Sequence, residues 1–296
     1  MMSSPVPAID ATGTAEPAPP DGWRNGGLPA LRAELDRIDD AIHDLLMQRA
    51  EIVEHVARSG KPAAFRPGRE ASIIRRLLGR HRGALPPVAL VRIWRELLAG
   101  TTGMQGGFSL AVRDPGEGGA LVTQLAREHF GVLTPLRTYS GAGEALEAVS
   151  GGGASVGVLP WPSEDETWWT ALLHHEPRLH IIACLPFWKP RPPGFSTARA
   201  VVVASTPADA SEADRSFLGL ACSDDGGRDR LASELNAAGL TVVSMVLVRQ
   251  PGGVFGLAEV EGALADGDPR LADLGGMLRR PVVLGQYAVP IGGDER

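Results

Sequence analysis

LRAELDRIDDAIHDLLMQRAEIVEHV, residues 31–56, decides how the N-terminal part of this 296-residue chain is read. Apolar residues fall at Leu31, Leu35, Ile38, Ile42, Leu45, Ile52 and Val56 in alternating steps of four and three, the spacing of a helix with one narrow apolar seam. The interruption is Arg49, which occupies the seam position between Leu45 and Ile52. A guanidinium placed there loses water and needs an anion to meet it, either a carboxylate on a neighbouring helix or a bound ligand.

Ser59-Gly60-Lys61-Pro62 breaks this helix, and Arg66-Pro67-Gly68 opens a second with Ile73, Ile74, Leu77 and Leu78 inward. Pro86-Pro87 starts a third, whose buried face reads Leu90, Trp94, Leu97, Leu98, Thr101, Gln105. Thr101 and Gln105, at i and i+4, aim two hydrogen-bonding groups at the interior, unless the helix end frays and they reach solvent. Glu70, beside Arg69, lies in the first turn of the second helix, where a carboxylate suits the dipole in any case. Arg32 precedes Asp36 by four residues, the spacing of a surface pair. Three helices, one of them long, make a thin core, so dimerisation through the long helix is expected.

Acidic residues outnumber basic ones, 35 to 29, for a net charge of −6, which excludes a protein whose affinity comes from neutralising nucleic-acid phosphates. Cys184 and Cys222 are the only cysteines, too few for a disulfide framework or a zinc cluster, and a cytoplasmic location is expected. Residues 1–27, rich in Pro, Ala, Ser and Gly, read as a disordered tail without a signal peptide. No run of about 18 apolar residues occurs, so no membrane span is expected.

Past Gly106-Gly107 the texture becomes α/β. Strands are expected at 108–112, around Thr138-Tyr139, and at 155–159, 180–185 and 200–204, with helices at 120–130, 143–149 and 167–174. A Pro-rich stretch, Pro186 through Pro193, interrupts this layer. After Asp214 the order is β-α-β-β-α-β, over 217–222, 228–238, 241–248, 254–260, 269–278 and 282–290, which predicts a ferredoxin-like sandwich. The expected organisation is multidomain: a helical domain at 28–105, an α/β region at 106–213 and an α+β domain at 214–296. Trp161, Trp168 and Trp169 are spaced like core residues more than like a binding cluster.

The segment 31–56, with RPGREASIIRRL (66–77) and RIWRELLAGTTGMQ (92–105), closely resembles the all-helical chorismate mutases over residues 28–105. The resemblance implies an intertwined homodimer that binds the dianion chorismate and rearranges it to prephenate, with no cofactor and no metal. By motif position it implies that Arg49 and Arg32 hold the substrate carboxylates, Arg32 reaching in from the other chain. It further implies that Glu70 meets the ring hydroxyl with Arg69 nearby, that Gln105 bonds the ether oxygen, and that Thr101 lines the pocket. The family's lysine, eleven residues after the seam arginine, falls here on Gly60, with Lys61 one place on; Arg66 stands where the family often has an acid. A rearrangement within one molecule needs no nucleophile or proton shuttle, so the implied catalysis is conformer selection and charge stabilisation at the ether oxygen. Arginines clamp planar carboxylates bidentately, as lysine cannot.

TYSGAGEALEAVSGGGASVGVLPWPSEDETWWTALL (138–173) and FSTARAVVVAS (195–205) resemble prephenate dehydratases, with Val158-Leu159-Pro160 and Arg199 kept. Trp161-Pro162-Ser163 replaces the family's polar loop, and Ala198 and Ala200 stand where its Thr and Phe lie, so dehydratase chemistry is not expected. Gly226-Gly227 and Val248-Arg249-Gln250-Pro251 give the C-terminal part a weak resemblance to ACT-type amino-acid-binding domains, read either as feedback sensing or as dimer support. The alternative to an active mutase is a weak or inactive mutase-fold protein that binds chorismate-derived metabolites or aromatic amino acids as a regulator.

Overall fold

The computed structural model describes residues 27–59, 65–114, 120–189, 191, 193–222, 227–251, 253–272, 274 and 278–292. Most of the N-terminal tail and all of Lys61 and Gly226 lie outside them. Contacts divide the chain into two units, the first ending at Ser59.

The first unit is one helix, α1 (Leu28–Arg58), formed where the seam spacing predicts. Ser59 ends it, its N–H donating to the carbonyls of His55 and Val56 at 3.2 and 3.1 Å. No residue of α1 is buried, and Leu35, Leu45 and Ile52 are 59%, 64% and 64% exposed. The seam is therefore present in the sequence and bare in the single chain.

In the second unit the elements are α2 (Pro67–Arg80), α3 (Pro87–Met104), β1 (Leu110–Arg113), α4 (Leu121–Phe130), β2 (Leu136–Tyr139), α5 (Ala142–Ser150), β3 (Val156–Pro160), a 3-10 helix Trp168–Leu173, β4 (His180–Leu185) and β5 (Ala200–Ala204). Then follow β6 (Asp214–Cys222), α6 (Arg228–Ala237), β7 (Val242–Gln250), β8 (Gly253–Glu261), α7 (Pro269–Ala272) and β9 (Leu278–Ala288). All nine strands join one sheet, ordered β2-β1-β3-β5-β4-β9-β6-β8-β7. β1 runs parallel to β2 and β3, as the intervening α4 and α5 crossovers require, while β5 is antiparallel to β3 and β4. The run Val201, Val202, Val203 is fully buried, as expected for a strand covered on both faces.

The last four strands pair antiparallel in the order β9-β6-β8-β7, the arrangement of a ferredoxin-like sandwich. They join the rest of the sheet where Ile181 of β4 pairs with Gly285 of β9. Gly285 has φ +136°, and a β-carbon there would lie 2.1 Å from the Ile181 carbonyl oxygen, so only glycine fits the junction.

The structure corrects several expectations. Within the helix expected at 269–278 the described residues show a helical turn at Pro269–Ala272, with Leu278 already in β9, and the helix expected at 167–174 is the 3-10 helix. Trp168 and Trp169, by contrast, are core residues, as their spacing predicts. The buried face of α3 is Val91, Arg95, Leu98, Thr101 and Thr102, with Leu90, Trp94, Leu97 and Gln105 only half-buried. The rotation has a packing cause: Val91 and Leu98 share a cluster with Ala71 and Ile74 of α2, Phe187 and Ala288 of β9, so α3 turns toward the sheet.

α2 is fastened at both ends of its inner face. The Asp209 carboxylate accepts from the N–H groups of Gly68 and Arg69, both at 3.0 Å, and from Arg66 Nη2 at 3.2 Å, so a distant loop caps the helix. A β-carbon on Gly68 would stand 2.3 Å from the Asp209 carbonyl oxygen. Arg75 donates to Ser211 Oγ and to the carbonyls of Ala213 and Val289, tying α2 to the sheet.

Candidate functional site

The residues expected to act together lie on three helices in two units. On α1, Arg32 is exposed and Arg49 is half-buried, beside the half-buried Leu46, Ala50 and Val53. Lys61 falls outside the described residues. In the second unit Arg69 is exposed at the head of α2, where only its backbone N–H is engaged by Asp209. Thr101 is buried, and its hydroxyl donates back to the carbonyls of Leu97 and Leu98 at 3.0 Å. Gln105 ends α3 half-buried, its side-chain amide donating to the Thr101 carbonyl at 3.3 Å.

Glu70 is the expected residue whose surroundings differ most from the sequence reading. Its carboxylate is buried and accepts from Arg95 Nη1 at 2.9 Å. Arg95, 5% exposed, lies with its guanidinium carbon 4.6 Å from the centre of the Phe187 ring. Burial pulls the Arg95 pKa down to about 10, against the Glu70 charge that holds it up. His129 of α4 completes the centre, its Nε2 3.4 Å from Arg95 Nη1, and burial together with the Arg95 charge holds its pKa well below the ordinary histidine value.

Sequence reasoning missed Arg95 and His129. A signal for Arg95 existed: Val91, Arg95 and Leu98 stand at i, i+4 and i+7, the same intrusion of a cation into an apolar stripe that singled out Arg49. His129, next to Phe130 on α4, carries no such mark, because its burial depends on Phe65 and α3, remote in sequence.

Beside this centre opens a cavity of about 450 Å3, bounded by α3, α4 and the Pro-rich loop after β4. Arg92, Arg95, Glu128 and Arg191 bring charge to its wall, and Val88, Val91, Phe187 and Phe195 bring apolar surface. Arg191 donates to Glu128 Oε2 and to the Ser196 carbonyl, and its guanidinium covers Phe195.

The Arg199 guanidinium carbon lies 3.3 Å from the centre of the Trp161 ring, stacked upon it. Nearby, Glu259 is enclosed by Tyr287, Arg215 and Ser244 and serves to pair β6, β7, β8 and β9 across their faces. Among the described residues, no helix is long and apolar enough to cross a membrane.

Residues 31–106 match the family described as chorismate mutase type II. The bifunctional chorismate mutase/prephenate dehydratase of Stutzerimonas stutzeri is 27% identical over 147 residues, 47% of this chain and 40% of that protein. Its counterpart in Neisseria gonorrhoeae is 31% identical over 101 residues, 34% of this chain and 27% of that protein. This chain thus matches less than half the length of either relative. The solved prephenate dehydratase of Arthrobacter aurescens superposes on 61% of this chain and 90% of its own, at 14% identity and a TM-score of 0.46.

Proposed function

We propose, from a chain whose residues 31–106 are a chorismate mutase type II domain, that this protein rearranges chorismate to prephenate as a homodimer. The observation that carries the reading is that this one match spans Arg32, Arg49, Lys61, Arg69, Glu70, Thr101 and Gln105 together. The reaction forms a carbon-carbon bond and breaks a carbon-oxygen bond within one molecule. The protein's task is then to hold the compact conformer and to stabilise charge on the ether oxygen. In the proposed site Arg49 and Arg32 of the partner subunit clamp the two carboxylates, and Gln105, with Lys61, serves the ether oxygen.

The bare seam of α1 supports the dimer. A second copy laid along it covers Leu35, Ile42, Leu45 and Ile52 and takes Arg49 further from water, where its contact with an anion is stronger. The free cysteines support a cytoplasmic setting. Dehydration of prephenate is not proposed, because Ala198 lacks the hydroxyl of the resembling motif.

The purified protein should consume chorismate and accumulate prephenate, and Arg49→Ala should slow this by orders of magnitude with circular dichroism unchanged. Equal turnover in the variant removes Arg49 from the site. One observation favours a second reading, a weak or inactive mutase-fold regulator: Glu70, assigned to the substrate hydroxyl, is already paired with Arg95. Chorismate binding without prephenate production would select that reading.

A further inference from the structure

Glu70, which the mutase reading assigns to the substrate's ring hydroxyl, ends a line of contacts that begins in the α/β region. Phe187, in the loop after β4, lies with its ring centre 4.6 Å from the Arg95 guanidinium carbon, and Arg95 of α3 donates through Nη1 to Glu70 Oε2 at 2.9 Å. His129 of α4 stands 3.4 Å from the same Nη1. An arginine donates and never accepts, so this contact requires an unprotonated Nε2 and places the ring's proton on Nδ1. Burial and the Arg95 charge favour that neutral ring. All four residues belong to the second unit, and Glu70, Arg95, His129 and Phe187 are all buried.

The ion pair does not use up the carboxylate. Two oxygens offer about four accepting positions, and the Arg95 bond takes one of them, on Oε2. A group that accepts from a hydroxyl must be ionised, and burial without a counterion works against the ionised form. We propose that Arg95 is a positioning residue of the mutase site: it keeps the Glu70 carboxylate charged and in one orientation, while His129 and Phe187 hold Arg95 in turn. The α/β region thereby serves a reaction whose substrate contacts are all assigned to the three N-terminal helices. Neither Arg95 nor His129 is proposed to touch substrate, so both act through Glu70 alone. Lysine is no equivalent at position 95, because a flat guanidinium can stack on Phe187 while it donates to Glu70, and an ammonium is a single point charge. This proposal rests on the mutase reading and names what supports one of its residues.

The test is a double-mutant comparison of kcat/KM for chorismate on the full chain, with native circular dichroism required of each variant. Glu70→Gln and Arg95→Met should each lower kcat/KM at least tenfold. Arg95→Met added to Glu70→Gln should cost less than a further threefold, because a residue that acts through Glu70 has nothing left to act on. A merely structural residue would cost the same factor in both backgrounds. Arg95→Lys and His129→Leu, milder changes that keep the comparison available where Arg95→Met does not fold, should each lose at least threefold alone and nothing measurable beside Glu70→Gln. A wild type that turns over no chorismate removes the mutase reading and this proposal together. A wild type that does, with equal fold losses in the two backgrounds, removes this proposal alone; so does an Arg95→Met or Glu70→Gln variant as active as the wild type.

Discussion

Arg95 of α3 and Glu70 of α2 meet at 2.9 Å in a buried ion pair, so the two short helices are joined by charge as well as by apolar contact. Desolvating both groups is costly, and the pair is tolerable because each is the other's counterion. Removing one partner leaves the other buried and uncompensated. Arg95→Met should therefore lower stability by about 3–5 kcal/mol in urea unfolding, and Arg95→Met with Glu70→Gln should recover at least half of that loss. Strictly additive losses in the two single variants and the double would show that the groups do not depend on one another.

His129 makes this same centre sensitive to acid. Burial and the neighbouring Arg95 charge hold its folded pKa well below the value of about 6.5 that it takes in the unfolded chain. As pH falls below about 6.5 the unfolded state gains a proton that the folded state refuses, so stability is full above that pH and declines beneath it. His180, depressed mainly by burial and next by Arg178, adds to the same slope. Urea midpoints measured from about pH 7.5 down to about 5.5 should fall for the wild type and fall less for His129→Gln. Parallel profiles would relieve His129 of this role.

Asp209 caps α2 from a position about 140 residues further along the chain, and this contact links the helix head to the loop before β6. Asp209→Ala leaves two backbone N–H groups without their acceptor, and it should cost about 0.5–2 kcal/mol. Asp209→Asn keeps an acceptor and should lose less. The comparison by thermal unfolding separates capping from the ion pair with Arg66, since a loss equal in both variants would assign the stability to charge.

The helices, the alternation of strands and helices, and the β-α-β-β-α-β order were legible because each is written in a local period or a turn signal. Arg49 stood out for the same reason, since one residue broke an otherwise regular seam. The pairing of Glu70 with Arg95 was not legible. It depends on α3 rotating toward Phe187 and Ala288, and those residues lie in the loop after β4 and at the end of the chain. Thr101 is buried and Gln105 half-buried, and in the single chain Thr101 Oγ1 and Gln105 Nε2 are both drawn into their own helix's carbonyls. Periodicity tells which side of a helix is apolar; it does not tell what arrives to cover it.

The seam of α1 makes this last point measurable. Leu45 and Ile52, each 64% exposed, and Ile42, 50% exposed, form an apolar strip, broken only at Arg49, on a helix of 31 residues with no buried position. A strip of this kind on a monomer is unusual, and covering each such side chain contributes roughly 1.5–3 kcal/mol. If a second copy covers it, Ile42→Asp with Leu45→Asp places charges in the contact twice over by symmetry. Light scattering after size exclusion should then report a dimer for the wild type and a monomer for the variant. Chorismate turnover should vanish in the same variant, although neither residue is proposed to touch substrate, because Arg32 then reaches no partner site. A variant that turns over chorismate normally as a monomer would confine the site to a single chain and exclude the shared arrangement.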